Sequence, residues 1–261
     1  MELLKLLKAD LYKSICRRNT ILLFVPCLIP LLFCIFAKMN VLTLSSGENV
    51  KEQLSCMEFI NVCWRLVSGI YIINILALLL GTFHFSSELE GGQIKNYLLR
   101  SGPRYHVIVS KLMSLALQFL AMIVSFIVVS ILSYYIFLVS TSYASREFVK
   151  YDIFNTYSFW LYMTASFLRM VVLAALSFFL GLKLKPFSCF IIVFFISLAV
   201  RYSGAIKVIP IYKLSPDYLL SRIDSIRTPD FTAGISIIVL ILYVVLFTGA
   251  AVFSFQKQDI K

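Results

Sequence analysis

The chain has 261 residues, of which 60% are hydrophobic and only 14% are charged, and its formal net charge is +11. Because a soluble globular domain keeps about a quarter of its residues charged, this composition excludes a globule coated by water and requires lipid as the solvent for most of the surface. The long apolar runs, such as residues 115–139, lack the strict apolar and polar alternation of barrel strands. We therefore predict an all-α integral membrane protein.

Residues 1–20 predict an amphipathic helix ahead of the first apolar run. Its apolar side chains share one face at helical spacing, and they are Leu3, Leu4, Leu7, Leu11 and Ile15. Lysines and Arg17 lie on the rest of the helix. A basic face beside an apolar face is typical of a helix that lies in the membrane interface. The alternative is a soluble helix that packs against a core.

Residues 21–261 predict a single domain of six transmembrane helices. The predicted spans are residues 21–37, 61–85, 112–139, 157–182, 187–201 and 231–255. Each approaches or exceeds the roughly 20 residues that a helix needs to cross a bilayer. Pro26 and Pro30 predict a kink in the first span.

The basic residues predict the orientation of the chain. They are concentrated at the N-terminus, and they also occur in the segment 86–111 and at the C-terminus. Under the positive-inside rule this distribution places both termini in the cytoplasm. Because these side chains lie at the predicted membrane borders, we expect them to face anionic membrane lipids and expect no nucleic-acid partner.

The sequence lacks the motifs of membrane-embedded and ATP-hydrolysing enzymes. It has no HExxH pair, no GxSxG elbow and no GxxxxGK[ST] phosphate loop. We therefore predict that the chain is not an enzyme and uses no cofactor or metal. The six cysteines lack metal-ligand spacing, and Cys56 and Cys63 fall in one predicted outer loop. At these two positions a disulfide and free thiols both remain open.

Two polar residues fall well inside the predicted spans. Asn74 lies at the midpoint of the second span, and Arg169 lies near the midpoint of the fourth. An arginine at that depth costs about 2.5–3.5 kcal/mol on insertion scales, so Arg169 should face other helices or a cavity. No acid is predicted at its depth, which makes Asn74 the expected partner. Arg169 either locks helices together through polar neighbours or contacts an anionic group of a substrate or lipid.

The segment between the second and third predicted spans carries an ordered pattern of charged, glycine and apolar residues. Residues 87–111 read SELEGGQIKNYLLRSGPRYHVIVSK. This pattern resembles the cytoplasmic loop of type-2 permeases of ATP-binding cassette (ABC) transporters. The matching positions are Glu90, Gly92, Ile94, Lys95, Leu98, Arg104 and Lys111. Gln93 stands where the family usually has threonine, and Pro103 stands where it has a small residue.

The resemblance implies a cytoplasmic coupling helix, within the segment 86–111, that docks onto a separate ATPase subunit. Glu88 would belong to this docking site together with Glu90, Gly92, Ile94, Lys95, Leu98 and Arg104. The family also has an N-terminal elbow helix, six spans and a C-terminal F-x-x-x-D motif, which Phe255 and Asp259 match.

The function implied by the resemblance is that of the permease subunit of an ATP-driven exporter. Its partners would be a cytoplasmic ATP-binding cassette subunit and a second permease copy or paralogue in a bacterial plasma membrane. Small permeases of this kind are similar to those that confer immunity to lantibiotics and other peptide antibiotics or export amphipathic peptides. The alternative class is a non-transporting polytopic membrane protein, such as a sensor or an assembly factor.

Overall fold

Most of the described residues are helical, and one isolated bridge joins Leu54 to Ala144. The computed structural model describes residues 2–39, 53–94, 103–141, 144–149, 153–202, 213, 215–224 and 231–257. The predicted all-α class is therefore confirmed for this part of the chain.

The described residues form ten α-helices. In chain order they are α1 Glu2–Ile15, α2 Arg18–Ile21, α3 Leu28–Lys38, α4 Cys56–Gly69, α5 Ile72–Glu90, α6 Arg104–Ser133, α7 Ile153–Gly181, α8 Pro186–Tyr202, α9 Pro216–Asp224 and α10 Phe231–Lys257. A 3-10 turn, Leu22–Cys27, leads into α3 and contains Pro26. The helix type changes at Leu28, close to the position where the prolines predicted a kink.

Within the described residues, four helices are long and apolar enough to cross a bilayer, which indicates a membrane protein. They are Ile72–Glu90, Arg104–Leu138, Thr156–Gly181 and Thr232–Lys257. Two further apolar helices, Leu22–Lys38 and Pro186–Tyr202, are shorter. Pro186–Tyr202 has 17 residues, and at 1.5 Å per residue it extends for about 26 Å, slightly less than the roughly 30 Å of hydrocarbon. The count of six spans stays a prediction.

The bounds of the predicted second span, residues 61–85, are wrong, because the chain breaks within this range and the candidate span is Ile72–Glu90. Helix α4 ends at Gly69, and Tyr71 adopts a left-handed backbone with a φ of 70° before α5 starts. The guanidinium of Arg201 stabilises this corner: it donates to the Gly69 carbonyl at 2.9 Å and lies 4.7 Å from the centre of the Tyr71 ring. Asn74 consequently lies in the first turn of α5 and not at the midpoint of a span.

The position of Cys56 and Cys63 on helix α4 excludes a disulfide between them. Cys56 and Cys63 both carry free, buried thiols, and both lie on this helix rather than in a loop. Ser55 and Glu58 start the helix with a reciprocal capping box. Because the two cysteines are separated by almost two helical turns, about 10 Å, their Cα atoms are too far apart for a disulfide.

Small residues allow α5 and α7 to pack closely in the centre of the bundle. A Cβ atom added at Gly81 would lie 3.1 Å from the Ala174 Cα and 3.3 Å from the Ser177 Cβ. At the far end of α7, a Cβ atom at Gly181 would lie 3.2 Å from the Ser86 Cβ. Without bulky side chains at these points, the two backbones approach each other as in other membrane helix pairs.

We expect Gly81→Leu to lower the thermal stability of the protein in detergent. The added side chain would force α5 away from the backbone of α7, and overpacking of this kind costs about 1–3 kcal/mol. Gly249→Leu on α10 is the matched control, because a Cβ atom there meets nothing within 4 Å. Equal melting temperatures for the two variants, measured by fluorescence-monitored unfolding, would contradict this view of the α5 and α7 contact.

Candidate functional site

Helix α1 turns a face that contains Asp10 and Ser14 toward the bundle. Asp10 and Ser14 are each only 1% exposed, whereas Leu4 is 61% and Ile15 is 68% exposed. The buried polar face packs against α6. The outward apolar face is a suitable surface for lipid, in keeping with an interfacial helix.

A cluster of five charged side chains joins α1 to α5 and α6. The ammonium of Lys111, which is fully buried, lies 3.1 Å from Asp10 Oδ1 and 2.5 Å from Glu88 Oε2. Glu88 also pairs with Lys13 at 2.9 Å and with Arg17. We call these residues, Asp10, Lys13, Arg17, Glu88 and Lys111, the elbow ion network. It brings together three segments that are far apart in the sequence.

Neutral side chains complete the hydrogen bonds around this network. Ser110 donates to Asp10 Oδ2 at 2.7 Å, and Gln118 on α6 donates to the hydroxyl of Ser14. Lys13 also donates to Gln93 Oε1 at 2.7 Å. A buried charge is costly unless it is both paired and hydrogen-bonded. The two carboxylates of the network meet both conditions.

The described residues provide few side chains that could bind a metal ion together. They contain no group of three or more His, Cys, Asp or Glu side chains that could hold one. His84 lies one turn before Glu88 on α5, and its buried Nε2 has no hydrogen-bond partner within the described ranges.

The predicted coupling residues fall into two groups, buried and exposed. Glu88 and Glu90 form the end of α5, so they belong to a spanning helix and not to a separate coupling helix. Glu88 is 2% exposed, and its carboxylate pairs within the elbow ion network rather than lying at the surface. Glu90 is exposed. Ile94 is completely buried.

The two ends of the loop 91–103 are fixed by Gly92, which forms a turn, and by Arg104, which binds the end of α10. Gly92 has a φ of +67°, a left-handed conformation that suits glycine at the end of a helix. At the far side of the loop, Arg104 starts α6 and donates to the carbonyls of Phe255, at 3.5 Å, and Gln256, at 3.2 Å. Thus the loop's second end is attached to the end of α10. The predicted site residues Lys95 and Leu98 lie outside the described residues.

Arg169 pairs with an acid, and the expected Asn74 contact is not formed. Its Nη1 atom donates to Asp217 Oδ1 at 2.7 Å. Asn74 is fully buried, and neither of its side-chain amide atoms has a hydrogen-bond partner among the described residues. The expectation that no carboxylate reaches Arg169 was wrong, because α9 brings one in from the segment that follows the fifth predicted span.

The sequence contains a signal that predicts α9. Ser215, Pro216 and Asp217 form a typical helix start, with a capping hydroxyl, a proline at the first helical position and an acid in the first turn. The Tyr218 amide donates to Ser215 Oγ at 3.1 Å, as expected for such a cap.

We expect Glu88→Gln to destabilise the protein much more than Glu90→Gln. The first change replaces a buried carboxylate that pairs with Lys111 by a neutral amide. Breaking a buried pair in this way costs about 3–5 kcal/mol. The second removes a charge that is exposed on the same helix end. Thermal unfolding of the two purified variants makes the comparison. Similar melting temperatures would show that the elbow ion network does not hold these helices together.

Comparisons with known proteins give a family for the chain. Neither the comparison with curated proteins nor the comparison with solved structures found a match. The family described as "Protein of unknown function (DUF2705)" matches residues 23–261, which is nearly the whole length. The chain belongs to this family, DUF2705.

Proposed function

We propose that this chain is the permease subunit of an ATP-driven ABC exporter, with ATP hydrolysis on a separate subunit. The observation that carries the proposal is that both ends of the loop 91–103 are fastened to other helices. Its first end is held through Glu88 to α1 and α6. Its second end is held through Arg104 to the end of α10.

This arrangement suits a segment that transmits a mechanical force from a moving partner subunit to several helices. A force on the loop would reach α5 and α6 directly, because they flank it. The elbow ion network would pass it to α1, and the Arg104 contact would pass it to α10. A loop tied only to its two flanking helices would move these helices alone.

The accessible part of the loop is narrower than the resemblance implies. Glu90 and Gln93 are exposed, while Glu88 and Ile94 are buried. We therefore assign contact with the ATPase to the exposed residues and assign an internal structural role to the buried ones. Lys95 and Leu98 remain part of the proposed contact by resemblance alone.

The proposal includes six spans, with both termini in the cytoplasm of a bacterial cell, and a dimer with a second permease copy or paralogue. The outward face of α10 supports a lipid or subunit contact, because apolar side chains such as Ile238 and Val245 are largely exposed. We propose amphipathic peptides, peptide antibiotics or other hydrophobic compounds as the substrate class, which rests on the resemblance.

The proposal is tested by purifying the tagged chain from its native membranes and identifying the proteins that copurify. We expect an ATPase with an ATP-binding cassette. Glu90→Lys should reduce its recovery severalfold while leaving the melting temperature of the chain unchanged, because this side chain is exposed.

Arg146→Glu is the control for that experiment, since Arg146 is exposed on the loop that contacts the start of α4, at the other end of the bundle. It should leave recovery of the ATPase unaffected. If no such ATPase copurifies with the unaltered chain, the alternative class of a non-transporting membrane protein becomes the better interpretation.

A further inference from the structure

A cavity of about 480 Å³ is lined by residues of α4, α7, α8 and α9, including Gly69 just before the start of α5. It is at the opposite end of α5 from the elbow ion network, about 24 Å away along that helix. Its charged lining residues are Arg65, Arg169, Arg201 and Asp217. The volume falls within the range that small-molecule sites usually have.

The charged lining of the cavity is mostly basic among the described residues. Three guanidinium groups and one carboxylate line it.

Arg169 carries two donors that lack an acceptor. The residue is only 4% exposed, and its Nη1 binds Asp217, yet its buried Nε and Nη2 atoms have no hydrogen-bond partner in the part of the chain that the structure describes. The N–H groups of Nε and Nη2 point the same way and form the planar fork that binds two oxygens of one anion. Because charged donors that stay buried and unpaired are costly, an anion that accepts from both atoms would stabilise this site.

The other lining groups favour a tetrahedral anion. Ser68 has a buried hydroxyl without a partner among the described residues, and Ser215, Tyr218 and Ser221 also line the cavity. A phosphate offers more acceptor oxygens than a carboxylate, and it can therefore engage the Arg169 fork together with hydroxyl groups from other sides.

We propose that this cavity binds a phosphate group through Arg65, Arg169 and Arg201. Two sources share this chemistry, the headgroup of an anionic lipid and free inorganic phosphate. In either case Asp217 neutralises and orients Arg169, and the phosphate binds the opposite edge of the guanidinium. The inference does not rest on the proposed transport function.

The test is the melting temperature of the purified full chain in an uncharged detergent during titration. One arm uses sodium phosphate against sodium chloride at equal ionic strength. The other uses dioctanoyl phosphatidylglycerol against dioctanoylglycerol, which has the same acyl chains and lacks the phosphate. We expect a saturable rise in melting temperature in at least one arm. If only the lipid raises the melting temperature, the ligand is a lipid headgroup. If sodium phosphate also raises it, the site binds free phosphate as well.

Variants of the three arginines decide whether the rise comes from this cavity. Arg65→Gln and Arg201→Gln should each raise the ligand concentration that gives half of the melting-temperature rise about tenfold. This is the loss expected for one charge-assisted contact. Arg169→Gln with Asp217→Asn removes the buried pair together and should abolish the rise. Arg146→Gln, an exposed arginine outside the cavity, should behave as the unaltered chain. Absence of any rise, or equal titrations for Arg65→Gln, Arg201→Gln and Arg146→Gln, would overturn the proposal.

Discussion

The ammonium of Lys111, buried between Asp10 and Glu88, is the interaction on which the arrangement of this end of the molecule depends. Burying a charged lysine is costly unless acids pair with it, and here Asp10 and Glu88 both do. The pairing therefore requires α1, α5 and α6 to meet in one place. It also explains why α1 turns Asp10 inward and leaves Leu4 exposed.

The polar groups of this protein are concentrated at the two ends of α5. One end holds the elbow ion network, in which the acids are saturated with basic partners. The other holds a cavity lined by three arginines and one acid, where two buried donors of Arg169 have no partner among the described residues. Between them, Gly81 brings α5 against the backbone of α7. The acids of the first end are thus paired within the chain, and the second end is where we propose that an anion binds.

Composition and periodicity predict much of this fold, because the bilayer restricts a spanning segment to a long apolar helix. The amphipathic α1 and the apolar cores of α6, α7 and α10 follow from local sequence. The break before α5 does not, because hydropathy continues through Tyr71 and the corner is held by the distant Arg201. The Asp217 partner of Arg169 was missed for a similar reason: the pairing depends on how α9 packs, which no spacing along the chain records.

Cross-linking tests the central claim, that the polar face of α1 is the face that joins the bundle. On a cysteine-free background, Ser14→Cys with Gln118→Cys should form a disulfide in native membranes, because these side chains are in contact. Tyr12→Cys with Gln118→Cys should not, since Tyr12 points outward. Peptide mass spectrometry identifies the linked residues. Efficient cross-linking through position 12 and none through position 14 would contradict the account.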